Sequence, residues 1–296
     1  MVSSRSVFSL RAYLVHALLF AVSRCALAIG VAGLMSFPAQ AALTIQVNYS
    51  GEAQYQSAFD SAAATWQSLL TDYQDGLVAS RSFGSSATIG QVLSGVDISA
   101  SFGFVDGPGN TLGQAGYTAF AFDQSGFKLA TNGTMEFDSA DFGSLTSGQI
   151  DSLILHEMGH VLGFGTLWTD NGVYVNGSGE FTGSEATAVW QNDFSQTGTP
   201  DVELGGAMGT SNAHWNEPDG GGVLSGITDS LGRDMRDELM TGWLNPNAFI
   251  SELTLASFRD IGFTAVNATA VPEPSAMLLL SVLGIAVGMR RRRVGP

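Results

Sequence analysis

Cysteine is nearly absent from this chain: Cys25 is the only one among 296 residues. Intrachain disulfides are therefore excluded, and stability has to come from a packed core or from bound cations. Positive charge is also scarce, with 12 Lys and Arg against 27 Asp and Glu. Such an imbalance keeps a protein soluble and argues against binding to nucleic acid or to anionic membrane surfaces. Long hydrophobic runs are missing. The two apolar stretches, Ala26 to Phe37 and Ser275 to Met289, fall short of the roughly 20 residues that span a bilayer comfortably. Histidine occurs only four times, at His16, His156, His160 and His214, so any imidazole-based site has few candidates to draw on.

Both apolar stretches sit in processing contexts. Arg5, Arg11 and Arg24, the run from Ala26 and the closing Ala39-Gln40-Ala41 have the basic start, apolar middle and A-x-A end of a secretory signal peptide, residues 1–41. Cys25 and His16 would leave with it, so the exported domain has neither disulfide nor thiol. At the other end Val271-Pro272-Glu273-Pro274 precedes the second apolar stretch and then Arg290 to Arg293. Triplet, short hydrophobic segment and basic tail, in that order, resemble the PEP-CTERM sorting signal of Gram-negative, biofilm-forming bacteria. The resemblance implies that residues 272–296 form a transient membrane segment removed by an exosortase-type enzyme. It implies a mature protein at the cell surface or in the extracellular matrix; a plain C-terminal anchor is the alternative. What remains, residues 42–271, carries five basic and 26 acidic residues, a net charge of −21.

Within that domain Leu43 to Tyr49 alternates apolar and polar residues as a half-buried strand does. Tyr55, Phe59, Ala62, Ala63, Trp66, Leu69 and Leu70 recur at helical spacing. Between Asp75 and Gly113 glycine and serine are frequent, and Ala87 to Val92 and Val96 to Phe104 read as strands joined by turns. Gly133 to Asp138 reads as a last strand. After Phe164 the sequence is glycine-rich, with a helical pattern from Ser184, as cap, to Phe194 and another from Ser251, as cap, to Gly262, as stop. These signals predict a mixed α+β fold split by a cleft. One lobe, about 42–163, holds a mixed sheet and a central helix, and a looped lobe covers about 164–271.

The central helix carries the chemistry. Thr146 and Gln149 are spaced as a capping box, Ile150, Leu153, Ile154, Met158 and Val161 line one face, and Gly163 stands where a C-cap glycine belongs. Inside this frame lies His156-Glu157-Met158-Gly159-His160, an H-E-x-x-H pattern. Histidines four apart project from one helix face and can hold a single zinc ion, with the intervening glutamate placed as a general base rather than a ligand. Catalytic zinc usually takes three protein ligands. His214 is the one remaining histidine of the domain, and Asp170, Glu217 and Glu238 are carboxylate rivals for the same role. Asp138 and Asp141 read as turn residues, with structural Ca2+ as the alternative.

The short metzincin pattern would place a third histidine at position 166, where this chain has Thr166. The chain nevertheless resembles the leishmanolysin branch of the metzincins, in which a long insertion separates the glycine from that histidine. The matching pieces are Gly133 to Asp141, His156 to Trp168, Phe181-Thr182-Gly183, His214-Trp215, Asp237 to Gly242, and Ser251 to Phe263. The resemblance implies a zincin fold, His214 as the third ligand and Met240 as the Met-turn residue beneath the histidines. The disulfides and cysteine-dependent latency of leishmanolysin have no counterpart here. The function expected is that of an exported zinc endopeptidase acting on proteins or peptides, with Glu157 as base and substrate laid along Gly133 to Asp138. The alternatives are an inactive surface or matrix protein that kept the fold, and a metal-dependent amidase.

Overall fold

A computed structural model describes residues 42–109, 111–206, 209–217, 223–245 and 248–267. The expected signal peptide and sorting segment lie outside these residues. Among the described residues no helix is long and apolar enough to cross a membrane.

Strand β1 (Thr44–Ser50) leads through helix α1 (Gln56–Leu69) to β2 (Leu70–Tyr73), β3 (Val78–Ser80) and β4 (Gly95–Gly103). Then follow β5 (Gly113–Asp123), β6 (Lys128–Asp138), the single turn α2 (Ser139–Phe142) and the histidine helix α3 (Ser147–Leu162). Five strands form one mixed sheet in the order β1-β4-β6-β5-β3. The pairs β1–β4 and β4–β6 are parallel, whereas β6–β5 and β5–β3 are antiparallel. Helices α1 and α3 cover one face of it. Ile45, Val96, Ile98, Ala100, Met135 and Phe137 of the sheet are buried in one core with Phe59, Ala62 and Trp66 of α1 and Ile154, Met158 and Val161 of α3. The Trp66 indole N–H also donates to the Leu155 carbonyl at 2.9 Å, pinning α1 to the helix that bears the histidines.

The α+β class, the first strand, both long helices and the strand at Val96 hold as read. Three expectations do not. Ala87 to Val92 is not a strand: the Gln91 amide turns back to the Thr88 carbonyl, and Gly90 takes a positive φ of 79°. Val92 forms a single bridge with Leu77, and Gly90 and Gln91 bond the main chain of Val78 around the turn. Gly133 to Asp138 lies in β6, which has β4 on one side and β5 on the other, so its main chain has no free edge for a substrate. Beside β6 it is β5 that has a free side, because β3 pairs only with Phe122 and Asp123, while β1 is the opposite edge of the sheet. Finally, α4 (Ser184–Asn192) starts after Gly183 rather than being capped by Ser184. Its first free amides, Glu185 and Ala186, are taken by the Asp260 carboxylate, each at 2.9 Å, from the end of α5 (Glu252–Asp260).

Regular structure is sparse from Gly163 to Ser251, and packed aromatics hold the loops in place. Phe164, Trp168, Phe181, Trp215 and Phe258 are all fully buried. Their ring centroids lie 4.5 Å (Phe164–Trp168), 4.9 Å (Trp168–Phe181) and 5.1 Å (Trp168–Trp215) apart. Buried aromatics contribute large apolar areas and favour such edge and tilted contacts, which stand in for the missing disulfides. These residues belong to the same core as the sheet. The last strand, β7 (Phe263–Ala265), pairs antiparallel with β2 and returns the chain to the N-terminal half. Removing Trp168 at the centre of this cluster should cost far more than removing a helix cap. Trp168→Ala is expected to lose about 3–5 kcal/mol and Thr146→Ala about 0.5–2 kcal/mol, measured by denaturant unfolding.

Candidate metal centre and active site

Helix α3 begins as its sequence demands. The Thr146 hydroxyl accepts from the Gln149 amide and the Gln149 side chain accepts from the Thr146 amide, closing the capping box. The helix ends at Gly163, with φ of 123°, and the Thr166 hydroxyl donates to the His160 carbonyl at 2.7 Å. Thr166 thus secures the helix end at the position where a shorter site would carry a ligand.

His156 and His160 project from successive turns, and His214 arrives from a loop 54 residues later to complete a triangle. Each pair of Nε2 atoms is 3.0 Å apart. The opposite ring nitrogens are all engaged: Nδ1 of His156 with the Leu239 carbonyl at 2.6 Å, of His160 with Phe164 at 2.9 Å, and of His214 with Thr210 at 2.9 Å. A carbonyl oxygen only accepts, so each Nδ1 carries the proton and each Nε2 presents a lone pair to the other two. Burial pushes all three imidazoles below their usual pKa, His214 to about 3, and the neighbouring rings add to the effect at His160 and His214. They are neutral, which is the ligand form. Three lone pairs this close repel unless a cation lies between them. A point equidistant from three atoms at this spacing is about 1.7 Å from each in their plane, and reaches the ~2.0–2.1 Å of a zinc–imidazole bond about 1 Å above it. The donor set fits one metal ion, and among the described residues it is the sole tight group of metal-ligating side chains.

Residues 113–273 match the protein family described as leishmanolysin, peptidase M8. The chain belongs to the leishmanolysin family. No curated protein matches it. The match starts at the first residue of β5 and takes in the edge strand, the histidine helix, His214 and α5, so the whole centre lies inside the family's domain.

Two glycines make this leishmanolysin-family centre sterically attainable. Gly165, with φ of 70°, crosses the segment before His214 so closely that a Cβ would lie 2.4 Å from the Ala213 carbonyl oxygen. A Cβ on Gly159 would lie 2.9 Å from Met240 Cε and 3.0 Å from its sulfur. Met240, fully buried, therefore presses against α3 between the two histidines. The carboxylate rivals are elsewhere. Asp170 pairs with Lys128 at 2.8 Å. Glu238 is fully committed, accepting from the Met240 amide at 2.6 Å, the Ser251 amide and hydroxyl at 3.0 and 2.9 Å, and the Thr254 hydroxyl at 2.6 Å. Glu217 is not in the histidine group. Asp138 serves as a turn residue, accepting from the amides of Val105, Asp106, Gly107 and Ala140, which hold its carboxyl below the usual range. Asp141 accepts from the Gly109 amide.

Glu157 is buried, and burial alone pushes its carboxyl up to about 8. A Cβ added to Gly113, the first residue of β5, would lie 3.2 Å from Glu157 Cγ and Oε1. The unpaired side of β5 thus begins against this carboxylate. Sequence reading missed β5 although Tyr117 to Phe122 alternates, because its aromatics Phe120 and Phe122 face outward while Ala119 and Ala121 are buried. It also missed Glu238 as the residue that ties the turn at Met240 to α5. Replacing Gly165 by alanine should strain a positive-φ position and displace the His214 segment. Gly165→Ala is expected to cost about 1–3 kcal/mol and to lower the bound metal to well under one ion per chain by elemental analysis.

Proposed function

We propose that this member of the leishmanolysin family is a zinc-dependent endopeptidase of the metzincin type. The observation that carries the reading is the convergence of His156, His160 and His214 beside a buried Glu157 at the start of a free strand edge. A zinc ion bound there supplies Lewis acidity, lowering the pKa of a water and polarising the scissile carbonyl. Glu157 accepts a proton from the attacking water and passes it to the leaving amine, which its position next to His156 and outside the ligand triangle permits. The edge of β5 from Gly113 receives an extended peptide as an added strand through main-chain hydrogen bonds, bringing it to Glu157. Met240 supplies an apolar floor that keeps water from the ligand side of the histidines. The carbonyls of Leu239, Phe164 and Thr210 fix the three imidazole tautomers and ring orientations.

The expected export rests on the sequence at both ends. In this reading the signal peptide directs secretion, and an exosortase-type enzyme removes the C-terminal segment and releases the protein to the cell surface or matrix of a Gram-negative bacterium. The acidic mature chain, at −21, suits a soluble exported enzyme.

A casein digestion with and without chelator tests the activity directly; no chelator-sensitive cleavage would remove the peptidase reading. Glu157→Gln is expected to lower turnover by a factor of 10² or more with the metal retained. His214→Ala should instead deplete the metal, and unchanged metal content would move the third ligand elsewhere.

A further inference from the structure

Among the described residues of the second half, one buried carboxylate has no hydrogen-bond partner on either oxygen. Glu217 lies three residues after His214, is only 4% exposed, and neither of its oxygens makes a hydrogen bond. A buried carboxylate left so is costly, and outside the metal centre most of the buried acids here avoid it, although one oxygen of Asp141 is also unpartnered. Glu238 has four donors, Asp138 has four, and Asp234 takes the Ser225 amide and hydroxyl and the amides of Gly226 and Arg236. The charges that bear on Glu217 are Glu203, Asp237, Arg236 and Asp234, three acids and one base. That base is paired elsewhere: the Arg236 guanidinium donates to both oxygens of Asp237, at 2.9 and 2.7 Å. Among the described residues the charges about Glu217 are therefore mostly acidic, and no cation is hydrogen-bonded to its carboxylate.

We propose that Glu217 anchors a second cation site, for a hard divalent ion of the calcium type, which joins the His214 segment to the turn leading into Met240. Calcium takes six to eight oxygen ligands in a variable shell that includes bidentate carboxylates, main-chain carbonyls and water. Both oxygens of Glu217 are free for it. Glu203, Asp234 and Asp237 stand too widely spaced to form a tight group, so they act through their field and through intervening water. Protonation is the competing account, since burial, first, and then the three acids push Glu217 up to about 8. A neutral carboxyl still has an O–H to donate, and no acceptor meets either oxygen.

The location gives the ion a structural consequence. Main-chain bonds run from the Glu203 amide to the His214 carbonyl at 2.9 Å, from the Trp215 amide to the Met240 carbonyl at 3.0 Å, and from the Asn216 amide to the Asp201 carbonyl at 2.9 Å. The segment bearing the third histidine is thus laced between two loops, and Glu217 ends that lacing. A cation held there, among acids from both neighbouring loops, would lock it without any disulfide. The site uses no histidine and is independent of the peptidase reading.

The test uses the purified full chain in calcium-free buffer, titrated with calcium and, separately, with magnesium, and followed by thermal unfolding. Terbium luminescence excited through tryptophan reports the same site, with Trp215 two residues from Glu217. Calcium should raise the melting temperature by about 5 °C or more at a hundredfold excess over Kd, with magnesium much weaker. Glu217→Gln should abolish both the shift and the terbium signal, and in calcium-free buffer should melt no lower than the parent, because it removes an unpaired buried charge. Glu203→Gln, at a partly exposed position, should weaken calcium several-fold and serves if the first variant does not fold. A parent chain indifferent to calcium, or a folded Glu217→Gln variant that keeps the full response, would overturn the proposal, as would an unaltered affinity in Glu203→Gln. Neither readout depends on peptide cleavage.

Discussion

Three imidazole lone pairs meet at 3.0 Å spacing because three Nδ1–H groups are already committed to carbonyl oxygens on the other side of each ring. The carbonyls come from Leu239, Phe164 and Thr210, one at the turn before Met240, one just past the end of the histidine helix and one in the loop before His214. The course of the second half of the chain is therefore tied to the orientation of the rings. In the absence of a cation the arrangement is repulsive; with one, the same geometry becomes favourable. Binding free energy at such a site is folding free energy, since the unfolded chain holds no preformed triangle.

Around that point the chain uses two devices that do not need cysteine. One is the buried aromatic cluster of Phe164, Trp168, Phe181, Trp215 and Phe258, which packs loops against one another through ring contacts. The other is a small set of buried or partly buried carboxylates that gather main-chain amides from distant segments. Glu238 joins the Met240 turn to the start of α5, and Asp260 at the end of α5 caps α4. Satisfied networks of this kind specify one arrangement of loops that hydrophobic burial alone would leave degenerate. The high glycine content serves the same end where chains cross, as Gly165 does over Ala213.

The helix signals were legible because their partners are near in sequence. Thr146 and Gln149, the apolar face from Ile150, and Gly163 all act within a few residues of one another, and each does in the structure what its spacing implies. The strands were legible where burial alternates with the sequence, as in β1 and β4, and misread where it does not. β5 turns its aromatics outward, and Ala87 to Val92 is apolar enough for a strand but closes into a turn at Gly90. Strand order was beyond reach altogether. Gly133 to Asp138 reads as a strand correctly, yet whether a strand is an edge depends on which neighbours pair with it, and those pairings join residues up to dozens of positions apart.

The sequence by itself determined the chemistry on offer between residues 42 and 271: one helix with two histidines and a glutamate at fixed offsets, a single further histidine, and no cysteine to compete for metal. Local periodicity and residue counts are enough for that, because they do not depend on how distant segments meet. Tertiary structure decided which of His214, Asp170, Glu217 and Glu238 reaches the pair on the helix, that β5 and not β6 has a free side, and that Glu217 is left buried without a partner among the described residues. Each of these is a question of distance between residues far apart in the chain, and it is settled only by the packing that brings them together.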